Sequence, residues 1–258
     1  MKVLVTFAVE AEFAPWRKRR PFRRHSSRAP SYSSVSFFST LIDSVEVIVF
    51  LTGIALRKSE PGLRFLLDQS IDICICAGLA GGLRPSLKAG EVFVPDVIME
   101  SEKNSTRTCN QELVEIAAGL GATRVGRILT SKIVLGQVQS KKAAASHADA
   151  VDMESFEVVT IASEKRIPAT VIRAVSDTFD EELPLDFDLA SNSRGEVSVA
   201  RMALQLLAKP RQISAAIAFG KQSTLAAANL ANFLDQYIPE IRNSMAVGKA
   251  DAHQVPAL

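Results

Sequence analysis

Four stretches of this chain are near-continuous runs of apolar and β-branched residues: KVLVTFAV (2–9), VEVIVFLTG (45–53), IDICICAG (71–78) and ATVIRAVS (169–176). A strand with one wet face alternates polar and apolar residues, whereas a run without a polar face has to be covered on both sides, as in a sheet sandwiched between helices. Helical spacing separates the runs. LRKSEPGLRFLLDQS carries Leu63, Phe65, Leu66 and Leu67 after Pro61 and Gly62; ELVEIAAGL closes at Gly121; MESFEVVTIASEKR has apolar positions 153, 156, 158, 159, 161 and 162 ahead of Pro168. VSFFST, EVFVPDVIM and RVGRILTS read as further strands, while SVARMALQLLA, RQISAAIAFG and STLAAANLANFLDQYI read as amphipathic helices. The pattern predicts an α/β chain, a three-layer sandwich whose central mixed, mostly parallel sheet is flanked by helices. One domain is expected over residues 1–240, with a helical C-terminal extension at 194–240 and a flexible tail at 241–258.

The 258 residues, 47% hydrophobic and 22% charged, suit one large folded unit and exclude a disordered chain. Cys74, Cys76 and Cys109 cannot make a disulfide framework, and three histidines without a CxxC or HExxH pattern give no metal motif, so no metal is expected. GLAGG is not a dinucleotide GxGxxG, and neither GxxxxGK[ST] nor GxSxG occurs, so no cofactor is expected. No run reaches the roughly 18 apolar residues of a membrane span, and Glu10 and Glu12 interrupt the first apolar run; a cytoplasmic protein is the expectation.

Of 30 Lys and Arg, seven fall within Arg17–Arg28, leaving 23 against 28 Asp and Glu elsewhere. Such a run is ordinarily a solvated loop, and it is also the one segment suited to peripheral contact with anionic lipid head groups. Nucleic acid is not expected as a partner, since one arginine run with Trp16 and Phe22 nearby is thin support for it.

In sheets of this kind ligands gather beyond the carboxyl ends of strands. There the chain places Glu10 and Glu12 after the first run, Gly53 after the second, the Ala80-Gly81-Gly82 turn after the third and Asp177 after the last, with Glu154 opening the helix before it. Singly, each has a plain explanation as a helix-start acid, a cap or a packing glycine. Together they permit three carboxylates to converge.

The ordered set FAVEAE, TGIA, AGLAGGLRPSLKAGEVFVPD, VDMES and IPATVIRAVSD resembles the nucleoside phosphorylase superfamily, above all its methylthioadenosine/S-adenosylhomocysteine nucleosidase branch. The resemblance implies a small-molecule nucleoside substrate, a homodimer or larger homo-oligomer, and these roles. Glu12 activates water; Met153 and Glu154 hold the ribose; Ser176 and Asp177 face the purine; Gly53, Ala80, Gly81, Gly82 and Val134 line the substrate site, Val134 standing where the family usually has an aromatic ring. Cleaving an N-glycosidic bond builds positive charge on the ribose, which nearby carboxylates stabilise, and purine leaves well only when protonated. Asp177, held protonated by its surroundings, is expected to donate to N7. Phosphate as nucleophile needs a cationic clamp, for which Arg57 and Arg84 are the candidates; the two glutamates after the first strand disfavour a dianion, so hydrolysis is expected. The sequence beyond Asp177, with its R-x-x-x-x-L-x-x-x-P-x-Q rhythm from Arg201 to Gln212, is similar to the hopanoid-associated phosphorylase group, implying a lipid-linked nucleoside such as adenosylhopane. Expected alternatives are a phosphorylase and a non-catalytic nucleoside-binding protein.

Overall fold

The computed structural model describes residues 1–29, 32–56, 58–102, 105–184 and 212–252. β1 (Lys2–Phe7) is central, with Val3, Leu4, Val5 and Phe7 buried. It runs parallel to β4 (Val45–Leu51) on one side and β5 (Ile73–Gly82) on the other, Val5 lying opposite Val49 and Ile75. Outside β4 come β3 (Tyr32–Ile42) and β2 (Arg23–Ala29), both antiparallel; the β3–β4 hairpin turns on Asp43 and Ser44, which take φ of 43° and 67°.

On the far side of β5 the sheet curls back on itself. β10 (Ala169–Asp177) pairs parallel with β5 and antiparallel with β6 (Val92–Glu100). β6 pairs with β8 (Thr123–Thr130), β8 with β9 (Ala150–Asp152), and β9 returns to β5 through Gly81 and Gly82. β7 (Thr106–Thr108) hangs on β6. β5 therefore belongs both to the open half of the sheet and to a closed ring, and its carboxyl end is where the two meet. The sheet is mixed, as expected, with the parallel pairings of β1, β4, β5 and β10 at its buried centre.

Helices cover both faces. α1 (Glu10–Arg19) and α3 (Gln111–Gly119) pack on α6 (Ile213–Ala252), while α2 (Glu60–Leu67) and α5 (Ser155–Glu164) pack together elsewhere; α4 (Val138–Ala144) is short. Asn110 caps α3, its Oδ1 accepting the N–H of Leu113 at 3.1 Å. On α6 the buried positions 226, 227, 230, 231, 234, 237, 238 and 241 form one stripe at helical spacing. Polar ties fix that stripe: Tyr237 donates to Leu113 O at 2.7 Å, and Trp16 Nε1 to Asp235 Oδ1 at 2.8 Å.

Several elements differ from expectation. The two helices read at 211–220 and 223–238 are one, which passes Pro239 and continues to Ala252, over residues read as a tail. GLAGG, read as a turn, is the end of β5. Its glycines are there for space: a Cβ on Gly78 would stand 2.2 Å from Arg173 Nη1, and one on Gly81 would stand 3.1 Å from Asp177 Oδ2. The Arg17–Arg28 run is the last turn of α1 followed by edge strand β2. The helix read at 198–208 lies outside the described residues, as does the Arg201–Gln212 rhythm except for Gln212.

Candidate active site

Glu12 stands at the third position of α1, directly after β1, and its side chain folds back over the helix start. Oε2 accepts the N–H groups of Ala8 and Val9 at 2.9 and 3.3 Å, and Oε1 accepts the N–H of Leu79 on β5 at 2.8 Å. Burial raises its pKa, opposed by the Arg173 guanidinium and by the Leu79, Val9 and Ala8 N–H groups. Because Gly78 has no side chain, the Arg173 guanidinium reaches the same spot across β5.

Arg173 is the hub. It lies in the middle of β10 with no exposed surface. Its Nη2 donates to Asp152 Oδ2 at 2.5 Å, to Ser155 Oγ at 3.1 Å and to Cys76 Sγ at 3.3 Å, and lies 3.7 Å from Glu154 Oε2. Asp152, at the end of β9, also accepts Ser155 N–H and Ser155 Oγ–H through Oδ2 and Thr130 Oγ1–H through Oδ1. Glu154, at the start of α5, accepts the N–H of Ala55 at 2.9 Å. Ala55 and Leu56 take φ of 56° and 51°, a left-handed conformation that costs side-chain-bearing residues energy and recurs at binding sites. Gly53, at φ 69°, donates to Ala8 O and joins this turn to the loop after β1.

Three buried carboxylates thus surround one cation. Burial pushes Glu154 up to about 8; Arg173 opposes that, while the like charges of Asp152 and Glu12 add to it. For Arg173, burial alone acts to lower the pKa, and the neighbouring Asp152, Cys76, Glu154 and Glu12 outweigh it, so it stays charged. Met153, half-buried, sits between Asp152 and Glu154.

The second cluster lies further along β5. A register shift between Val175 and Asp177 makes Ser176 the extra residue of a β-bulge, a device that re-aims side chains. Ser176 Oγ lies 2.6 Å from Asp177 Oδ1 and 3.2 Å from Ala80 O, and Asp177 pairs with Gly81. Asp177 Oδ2 accepts from Lys141 Nζ at 2.5 Å; Lys141, on α4, has no exposed surface and also donates to Thr178 O at 2.7 Å and Glu181 O at 2.8 Å. Asp177 was expected in surroundings that hold it protonated. It has instead a buried ammonium on one oxygen and a hydroxyl on the other. From Gly78 to Gly81 is three residues, about 10 Å of strand, which sets the spacing of the Glu12 and Asp177 clusters along β5. Half-buried Leu79 and Val134 are nearby in chain and loop: the 131–137 loop is tied to Asp152 O through Ser131 N–H and to the segment after β10 through Leu183 N–H and Gly136 O.

Glu12, Gly53, Ala80, Gly81, Gly82, Met153, Glu154, Ser176 and Asp177 thus fall on the elements that meet at the end of β5. Arg84 does not join them, since its guanidinium pairs with Asp149. Arg57 lies outside the described residues. In the basic run, Arg17 pairs with Glu10, Arg19 and Arg20 pair with Asp235, and Trp16 and Phe22 pack into an aromatic cluster with Phe13, so these rings serve the core. Sequence reading missed Arg173 and Lys141. Arg173 had a signal, a lone cation within a buried strand, which has to be paired.

The protein-family model described as the phosphorylase superfamily matches residues 2–208. The 5′-methylthioadenosine/S-adenosylhomocysteine nucleosidase of Geobacillus thermodenitrificans is 25% identical over 213 residues, covering 73% of this chain and 89% of that protein. Among solved structures, the 5′-methylthioadenosine/S-adenosyl homocysteine nucleosidase of Helicobacter pylori superposes with a TM-score of 0.70 at 17% identity, covering 93% of this chain and 98% of the other. The futalosine hydrolase of the same organism gives 0.67 at 17% identity, covering 93% and 98%. At these identities the structural likeness speaks for the fold.

Proposed function

The chain belongs to the phosphorylase superfamily, and from that premise we propose that it is a nucleosidase that hydrolyses the N-glycosidic bond of a 5′-substituted adenosine and releases adenine. The observation that carries this reading is the set of buried carboxylates, Glu12, Asp152 and Glu154, around a single arginine already engaged by Asp152. Such a site holds negative charge where an oxocarbenium-like ribose develops its positive charge. A phosphate dianion beside the same carboxylates is repelled, and Arg84 is occupied elsewhere.

Each group then has a task. Glu12, its pKa raised by burial toward the working pH, takes a proton from the attacking water. Glu154 accepts hydrogen bonds from the ribose hydroxyls; these donors favour its charged form and offset the burial that holds it at about 8 in the free site. Met153 supplies an apolar wall beside the sugar. Asp177, seated by the Ser176 bulge, faces N7 of the base. The similarity to the Geobacillus nucleosidase supports methylthioadenosine and S-adenosylhomocysteine as the first substrates to try.

A larger apolar 5′ group, as on a lipid-linked nucleoside, is the second reading. It is favoured by Ile213 and Ile217, exposed on the first turns of α6 just before Gln222, whose Nε2 donates to Ser176 O at 2.8 Å. On that reading the exposed Lys18, Arg23, Arg24 and Arg28 touch an anionic lipid surface. Assembly into a homo-oligomer is proposed from the family resemblance and is read by light scattering. No helix among the described residues is long and apolar enough to cross a membrane.

The test is incubation of purified protein with 5′-methylthioadenosine, S-adenosylhomocysteine, adenosine and inosine, with and without phosphate, followed by chromatography. Adenine together with free sugar, at a rate indifferent to phosphate, is the expected result. Sugar 1-phosphate would make the enzyme a phosphorylase, and binding without base release would make it a nucleoside-binding protein.

A further inference from the structure

The nucleosidase reading leaves one chemical demand open. Adenine departs as a neutral base only if N7 gains a proton, yet the group facing it, Asp177, receives donors on both oxygens, from Lys141 Nζ and Ser176 Oγ. A carboxylate placed among donors is an acceptor, so the proton has to come from behind it.

Resting on that reading, we propose that Lys141 is the positioning residue that stores the proton and passes it through Asp177 to N7 of the leaving base. In the first transfer a Lys141 Nζ–H bond breaks as an Asp177 O–H bond forms. In the second that O–H breaks as N7–H forms, while the C1′–N9 electron pair withdraws into the purine. Asp177 ends as the carboxylate it began as, and Lys141 as a neutral amine. Water adds to the ribose cation and loses its proton to Glu12; solvent then takes the proton from Glu12 and restores the one on Lys141.

The hydrogen-bond geometry accommodates both proton placements. As an ammonium, Lys141 directs three N–H groups to Asp177 Oδ2, Thr178 O and Glu181 O. As an amine it keeps two N–H donors for the carbonyls and turns its lone pair to the Asp177 hydroxyl, so every buried partner stays satisfied. Arginine at the same place would hold the charge without releasing it. Around the ammonium, the end of β10 presents Asp177 and the segment after it Asp180 and Glu181. Asp180 is lowered first by the Thr178 hydroxyl. On Glu181 burial acts upward, and the Thr178 N–H and the Gln222 amide outweigh it. From α4 the exposed Lys142 is the next charge, Lys88 lies toward Asp180, β5 offers only Gly81, and α6 offers the neutral Gln222.

The experiment compares kcat of the wild type, Lys141→Met and Lys141→Arg on 5′-methylthioadenosine from pH 5 to 9, with thermal melts to confirm folding. At pH 8 both variants are expected to fall about 10²-fold or more, the usual range for loss of an acid catalyst. The ratio of wild-type to variant kcat is expected to shrink about tenfold per pH unit toward pH 5, as solvent protons substitute for the internal one; taking the ratio cancels the common titration of Glu12. A ratio constant with pH, or an arginine variant at the wild-type rate, overturns the relay and leaves Lys141 a structural counter-ion. Should the methionine variant not fold, the arginine variant alone decides. A wild type that releases no base from any nucleoside overturns the nucleosidase reading itself.

Discussion

The two ends of the site solve opposite electrostatic problems with the same buried strand. At the end proposed to hold the ribose, three carboxylates share Arg173; burial, with repulsion from Asp152 and Glu12, pushes Glu154 up to about 8, and burial raises Glu12. At the end proposed to hold the base, one carboxylate is in direct contact with one buried lysine, with Asp180 and Glu181 as the further charges on the adjoining segment. Excess negative charge is useful where a cation forms for the lifetime of a transition state, and a matched pair is useful where a proton has to be kept and handed over. On the proposed reading, a carboxylate's role is set by the cations in direct contact with it, here one per three against one per one.

Removing the shared cation breaks that contrast most severely. Arg173→Met leaves three buried carboxylates without a counter-charge and is expected to cost about 3–5 kcal/mol of stability, the range for stripping one partner from a buried pair, with activity lost as well. Urea denaturation reads it, and a variant as stable as the wild type would remove the hub from the account. Glu12→Gln comes next. It keeps the shape and is expected to lower kcat about 10³-fold by removing the water's proton acceptor, with the fold intact by circular dichroism; a loss below tenfold would move the base elsewhere.

The pH dependence of stability sharpens the comparison in the ligand-free protein. Glu154 titrates near 4.5 in the unfolded chain and at about 8 in the folded one, so between those values the native state holds the extra proton. Its contribution is complete below pH 4.5 and is lost progressively as pH rises to about 8. The ligand-free protein should therefore lose stability from pH 5 to pH 8, and Glu154→Gln should flatten that slope. An unchanged slope would mean that Glu154 is already ionised in the free site. The smallest effect is expected at Arg84→Ala, which removes a half-exposed pair with Asp149; about 0–1 kcal/mol of stability and an unchanged, phosphate-independent kcat are predicted. A rate that becomes sensitive to phosphate would return Arg84 to the reaction.

The sheet could be read from the chain because its central strands have no polar face, a condition few other structures satisfy. Glu12, Glu154 and Asp177 could be read because each sits at an element boundary and the motif order repeats a known family's. Edge strand β2 was hidden, since RRHSSRA lies at the margin and carries no apolar pattern, and β9 is only three residues long. The glycines of β5 misled, because glycine usually ends a strand; here Arg173 and Asp177 fill the space a Cβ would need. Lys141 gave no warning at all. It is one of two adjacent lysines in a short polar helix, and only the tertiary fold turns one inward and the other to solvent.

The most direct measurement is a crystal structure of the Glu12→Gln variant with 5′-methylthioadenosine bound. The account predicts the base within hydrogen-bond reach of the Asp177 carboxylate, the ribose hydroxyls on Glu154, and the C1′–N9 bond lying over the stretch of β5 between Gly78 and Gly81. A nucleoside bound elsewhere, or one whose base and sugar both avoid these two clusters, would contradict it.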